Sequence, residues 1–247
     1  VASIIGQRFS QDMLRLISAM DDLEKHIDTL VMRGMLIPAK ESRYWEFSHP
    51  LIEIVVYNTI MKIQRKVLHG QTAHALETQW SGARSEHAEE LAYHYNKAED
   101  YASALQYMVL AGERAADRHA NETAISWFEQ ATELLNLLPE VSDEYRWRIT
   151  CGFGEVNQFI GNFDATIEYL QTGMHLFDSK QLTPIQRAIL YRILGDTYVK
   201  KGDQDRAVVC LQQALELLGD PIESRYEAEA ARIMSRPLDR TRPLWEV

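Results

Sequence analysis

The chain has 247 residues, 46% of them hydrophobic, and a formal net charge of −10 from 26 basic and 36 acidic side chains. That is enough apolar material for one large or two small domains, burying roughly three quarters of the unfolded surface without disulfide or metal staples. The acid is concentrated: residues 81 to 140 hold 4 basic against 11 acidic side chains, while residues 1 to 80 balance at 9 and 9. The acidic middle repels phosphate backbones and argues against nucleic acid as a partner. No stretch approaches 18 uninterrupted apolar residues, and Val1-Ala2-Ser3-Ile4-Ile5 has no basic region followed by an apolar core. The chain therefore reads as soluble and cytoplasmic, with no membrane partner. Cys151 and Cys210 fall in different helical segments, which suits small buried side chains in a reducing compartment rather than a disulfide.

The N-terminus lacks Met and reads as the end of a helix, so a piece of a longer protein is expected. Ser10-Gln11-Asp12 opens a helix by capping. Asp21-Asp22-Leu23-Glu24 opens another, with Leu23, Ile27, Leu30 and Val31 at helical spacing and Gly34 as its stop. The period then changes: Met35-Leu36-Ile37 and Tyr44-Trp45-Glu46-Phe47 are short strand-like runs around the polar turn Lys40-Glu41-Ser42-Arg43. Helix, helix and small hairpin is the order of a winged-helix domain. After His49-Pro50 the chain returns to helix. Leu51, Ile52, Ile54, Val55 and Val56 are expected to be largely buried, and a long amphipathic helix follows from about residue 62 to 80. From Glu86 onward the sequence is rich in Ala, Leu, Tyr and Glu at helical period. Breaks fall near Asp100, His119 to Asn121, Pro139 to Ser142, Asn162, Thr183-Pro184, Gly202 and Asp220-Pro221.

Residues 188 to 221 carry the sharpest pattern: Tyr191-x2-Leu194-Gly195-x2-Tyr198, then Gly202, Ala207, Leu211 and Ala214. It resembles a tetratricopeptide (TPR) repeat, in which small residues sit where two antiparallel helices approach closely. Forty-one residues upstream, Phe153-Gly154-Glu155-Val156-Asn157 aligns with Leu194-Gly195-Asp196-Thr197-Tyr198. Gly161, Ile167, Leu170 and Leu176 align with Gly202, Val208, Leu211 and Leu217. In this degenerate copy Thr166 and Gly173 hold the two small positions. Leu91, Ala92, Tyr95, Tyr101, Ala104, Met108 and Ala111 match the template again, and Ala124, Phe128 and Ala131 repeat its second half. Only 20 residues separate Ala104 from Ala124, so the helix between them is expected to serve two repeats.

The run Tyr44 to Tyr57 containing Phe47-Ser48-His49-Pro50-Leu51-Ile52, followed by Arg65-x2-Leu68-His69-x3-Ala73-x2-Leu76-Glu77, resembles a stretch of multidomain signalling ATPases of the STAND type. In those it lies between the ATPase module and a TPR array. Leu91-Ala92-x-His94-Tyr95, Ala111-Gly112-Glu113-Arg114-Ala115 and Asn121-x2-Ala124-Ile125-x2-Phe128 continue the likeness to about residue 220. Similar regions occur in bacterial transcription regulators of the maltose-regulator kind and beside class III adenylyl cyclase domains. The resemblance implies a mainly α protein with three parts: a winged-helix domain with connecting helix over 1–80, an α-solenoid of TPR-like hairpins over 81–235, and a linker or truncated tail over 236–247. Residues 223 to 235 read as the first helix of another repeat. No Gly-x4-Gly-Lys-Ser/Thr loop is present, so neither enzymatic activity nor a cofactor is expected of this chain. ATP or ADP would belong to an upstream module outside it.

Family geometry places certain first-helix positions on the concave face. By alignment these are Arg148, Cys151, Glu155, Gln158 and Phe159 in one repeat and Ile189, Arg192, Asp196, Val199 and Lys200 in the next. They mix charge with apolar surface, as a groove for a protein or peptide would; a face covered by later repeats or by solvent is the competing reading. In related signalling ATPases a winged-helix histidine reaches the nucleotide's phosphates, and His49 resembles it in position; otherwise it caps a helix. His87, Glu90 and His94 share a helical face, but one helix supplies no fourth ligand, so no metal is expected. The candidate recognition helix, residues 22 to 33, offers Lys25, His26 and Arg33 against Asp22, Glu24 and Asp28, too few net cations for DNA readout. A regulatory, non-catalytic interaction fragment of a multidomain signalling protein is the leading reading, with protein or peptide and the polypeptide's other domains as partners. A DNA-binding winged-helix module and the regulatory part of an adenylyl-cyclase-type enzyme are the alternatives.

Overall fold

Twelve α-helices and three short strands make up the described residues of the computed structural model, which are 1–18, 20–41, 43–138, 143–177 and 182–219. The expected break at 139–142, the extra helix at 223–235 and the tail at 236–247 lie outside them. The chain divides into two compact units, 1–107 and 108–247.

The first unit begins with α1 (Ala2–Ile5), β1 (Arg8–Ser10), α2 (Gln11–Ile17) and α3 (Leu23–Met32), followed by β2 (Leu36–Pro38) and β3 (Tyr44–Phe47). Ser10 starts α2 as expected, its hydroxyl accepting the Met13 N–H at 3.0 Å. Gly34, at φ 69°, turns the chain out of α3. The sheet is antiparallel in the order β1-β3-β2, with Phe9 opposite Trp45 and Ile37 opposite Glu46. The expected hairpin is present, with β2 one residue later at its end. Strand β1 is additional: a three-residue strand is too short to show alternation. Phe9, Leu14, Leu23, Ile27, Leu36 and Phe47 form the core beneath it.

Next come α4 (Pro50–Thr59), α5 (Lys62–Gln79), a short 3-10 turn (Arg84–His87), α6 (Ala88–Lys97) and α7 (Tyr101–Asp117), the unit boundary falling inside α7. Helix α4 overturns one expectation. It buries no residue, and Leu51 and Val55 are each 61% exposed. Its described contacts are with α1 and β3 alone, so an apolar composition all round did not bring neighbours on all sides. Helix α5 buries His69, Thr72, Ala73 and Leu76, and Glu77 ties it to α6 and α7. Tyr107 donates to Glu77 Oε1 at 2.7 Å and Tyr95 to Oε2, while the two tyrosine rings stack 5.6 Å apart. Burial alone would raise the Glu77 pKa; the tyrosine hydrogen bonds, with Arg84 and His74, outweigh it and leave a net lowering.

The second unit continues with α8 (Asn121–Leu137), α9 (Asp143–Phe159), α10 (Phe163–Leu176), α11 (Pro184–Lys201) and α12 (Gln204–Leu217). Helix α11 has a full capping box between Thr183 and Gln186, Pro184 in its first turn, and Gly202 at φ 86° as its stop. One register runs through four successive helix pairs. Ala92, Gly112, Gly154 and Gly195 are followed 12, 16 and 19 residues later by Ala104/Met108/Ala111, Ala124/Phe128/Ala131, Thr166/Leu170/Gly173 and Ala207/Leu211/Ala214. Seven residues after each of those four starting positions stands a left-handed residue, Glu99, His119, Gly161 or Gly202. The small starting residue is a packing requirement. A Cβ on Gly112 would lie 2.7 Å from Phe128, one on Gly154 3.0 Å from Leu170, and one on Gly195 2.8 Å from Leu211. Helix α7 thus carries two registers, closing the hairpin from α6 with Ala104 and Ala111 and opening the one to α8 with Gly112.

Candidate partner-binding face

The ten groove positions lie on α9 and α11, and two cross-helix clasps order them. Arg148 reaches from α9 to Glu113 of α7, Nε and Nη2 donating to the two carboxylate oxygens at 2.7 and 2.5 Å. Burial opposes the Arg148 charge, and the Glu113 carboxylate more than restores it. One pair of helices on, Arg192 of α11 donates through Nη2 to Glu155 of α9 at 3.0 Å and through Nη1 to Asp196 at 3.2 Å. Glu113, Glu155 and Asp196 each directly follow a slot glycine, Gly112, Gly154 or Gly195, so the acids line up along one row of the first helices. Asp196 is half-buried, and that burial raises its pKa against the pull of Arg192 and Lys200.

The remaining positions divide into interior and surface. Cys151 is fully buried, which pushes its thiol pKa well up; it cannot touch a partner. Ile189 packs on the core around Leu190 and Ile193. Gln158 donates to the Ile193 carbonyl at 3.2 Å and to Thr197 Oγ1 at 2.9 Å, joining α9 to α11. Phe159, Val199 and Lys200 are exposed, Phe159 with its ring stacked 5.4 Å from His119. Alignment placed all ten on one face; packing leaves the surface to the last turns of α9 and α11.

His49 stands at the start of α4, exposed, where its Nδ1 accepts the Leu51 N–H at 3.1 Å. His87 and His94 do not converge with Glu90: His87 stacks on Trp80 at 3.6 Å, and His94 turns inward. No group of three or more His, Cys, Asp or Glu side chains suited to a metal occurs among the described residues. The inward turn of His94 creates a feature that isolated histidines in a sequence do not announce. His94 Nδ1 meets His69 Nδ1 at 3.0 Å, and Tyr57 hydroxyl meets His69 Nε2 at 3.0 Å, a polar chain from α4 through α5 to α6. Burial lowers the His69 pKa to about 4 and that of His94 to about 3, with Lys97 and Arg65 adding to the first.

A family model for the tetratricopeptide repeat matches residues 189–217, the stretch that α11 and α12 occupy. The chain therefore contains a TPR-like region within a mostly α-helical fold, and repeats of this kind generally serve protein–protein contacts. Comparison with curated proteins gave no match. No described helix is long and apolar enough to cross a membrane.

Proposed function

We propose that the chain is a non-catalytic regulatory fragment of a multidomain signalling protein. A winged-helix domain leads into a TPR-like solenoid that binds a protein or peptide and couples it to an ATPase or output module outside this chain. The observation that carries the reading is the shared register of four helical hairpins, the last of which matches the TPR family. The order α2, α3, β2, β3 supports a winged helix, and exposed His49 at the start of α4 is the residue that would meet a nucleotide held by a preceding module. Direct DNA readout is less favoured: Lys25 pairs with Asp22 and Arg15 with Glu24, each at 3.2 Å, leaving few cations for phosphates.

Affinity capture with the wild-type chain and with a Val199→Glu/Lys200→Glu variant tests the interaction role. At least one protein is expected to be held by the wild type and lost by the variant, with thermal unfolding unchanged. Identical captured sets would sink the reading.

A further inference from the structure

The molecule shows what covers one face of a repeat, and then presents the same face again. Ile167, Met174 and Phe177, from α10 and its end, are half-buried against the core that includes Leu190, Ile193 and Leu194 of α11. Their counterparts forty-one residues on are Val208, Leu215 and Leu218. Val208 is 50% and Leu218 53% exposed, while Leu215 is half-buried. The charges repeat as well. Glu113 receives Arg148 from the next first helix, and Glu155 receives Arg192. Asp196, the third acid in the row, takes only Arg192 of its own helix among the described residues.

We infer that the outer face of α11 and α12 is the seat of a helix from a partner protein, which presents an arginine to Asp196 and apolar side chains to Val208 and Leu218. The inference builds on the interaction role proposed above. Its chemistry is that of the two filled positions: a guanidinium delivered laterally from a helix to a half-buried carboxylate, with apolar side chains beside it. Lysine would supply charge without the planar fork that lets Arg192 hold Glu155 and Asp196 together. The burial that raises the Asp196 pKa, opposed by Arg192 and Lys200, leaves a carboxylate that gains from a further cation. The mode is a helix docked on a groove through residues at i, i+3, i+4 and i+7.

The probe is a hydrocarbon-stapled amphipathic peptide with one arginine among leucines on its apolar face. Binding to the full chain is followed by fluorescence anisotropy, beside a twin peptide with Arg→Glu. The arginine peptide is expected to bind and the glutamate peptide not. Asp196→Asn should weaken binding about tenfold, as loss of a charge-assisted hydrogen bond does. Val208→Glu should weaken it comparably, Asp164→Asn should leave it unchanged, and all three variants should keep the wild-type unfolding temperature. Equal affinity for both peptides, or for wild type and Asp196→Asn, overturns the inference. Binding seen only after Arg225→Ser, Arg232→Ser and Arg236→Ser are combined would assign the face to the chain's own C-terminal residues and also overturn a partner helix. Either failure leaves the Val199/Lys200 capture test standing, because it does not involve these residues.

Discussion

Arg148 and Glu113 face each other with side chains only 10% and 15% exposed, so each depends on the other for its charge. Removing one partner of such a pair strands a buried ion, which costs about 3–5 kcal/mol, whereas replacing both with apolar groups is often close to neutral. Arg148→Met is therefore expected to lower the urea unfolding free energy by about 3 kcal/mol, and Arg148→Met/Glu113→Leu to recover most of it. Additive losses would mean that the pair is not coupled. Arg192 with Glu155 and Asp196 has the same chemistry at higher exposure, 19%, 29% and 23%, and solvent screening makes its removal cheaper. Charge pairs of this kind were not readable beforehand. Glu113 and Arg148 stand 35 residues apart, and only the register of the helices brings them together.

At the scale of helices, the slot glycines separate what sequence could show from what packing decides. Gly195 was legible because it sits in the full Tyr191-x2-Leu194-Gly195-x2-Tyr198 frame, and Gly154 because its surroundings align with it. Gly112 lies in an Ala-rich helix that already matched the second half of another repeat, so its own role was masked by its helix serving twice. Strand β1 escaped for want of length, and exposed α4 was misjudged because apolar content does not say which neighbours exist. Alanine at a helical glycine should gain about 1 kcal/mol of propensity, and overpacking a filled core costs about 1–3 kcal/mol. The neighbour decides between them. At Gly112 the new Cβ meets the Phe128 ring, which is fully buried with Gly152 on its other side, so the ring has nowhere to go. At Gly195 it meets the half-buried Leu211 side chain, with the Ala207 carbonyl oxygen at 3.4 Å. Gly112→Ala is expected to destabilise by about 2 kcal/mol and Gly195→Ala by less. Calorimetry that finds Gly112→Ala stabilising would remove the close approach of α7 and α8 from the account.

Over the whole molecule, sensitivity to acid is unevenly distributed. The buried His69–His94 contact belongs to the first unit, whereas the described histidines of the second, His119 and His175, are exposed. Two Nδ1 atoms 3.0 Å apart can hold one hydrogen bond only while one ring donates and the other accepts. A proton on the accepting nitrogen sets two N–H groups against each other, and no neighbour offers relief: Tyr57 is neutral on α4, Arg65 on α5 and Lys97 on α6 are cations, and Tyr93 lies edge-on to both rings. Because both folded pKa values lie below the ordinary 6.5 of histidine, the unfolded chain binds protons that the folded chain refuses. The stability of this contact is full above pH 6.5 and falls as pH drops. The fall is about 1.4 kcal/mol per pH unit for each histidine, ending near pH 4 for His69 and near 3 for His94. Hydrogen exchange, corrected for intrinsic rates, should show α5 and α6 losing protection between pH 7 and pH 5 while α9 and α11 change little. His94→Gln, whose amide can still meet His69, should flatten the acid slope of the first unit by about half. Parallel losses in both units, or an unchanged slope in His94→Gln, would show that acid acts through the chain's general charge rather than through this pair.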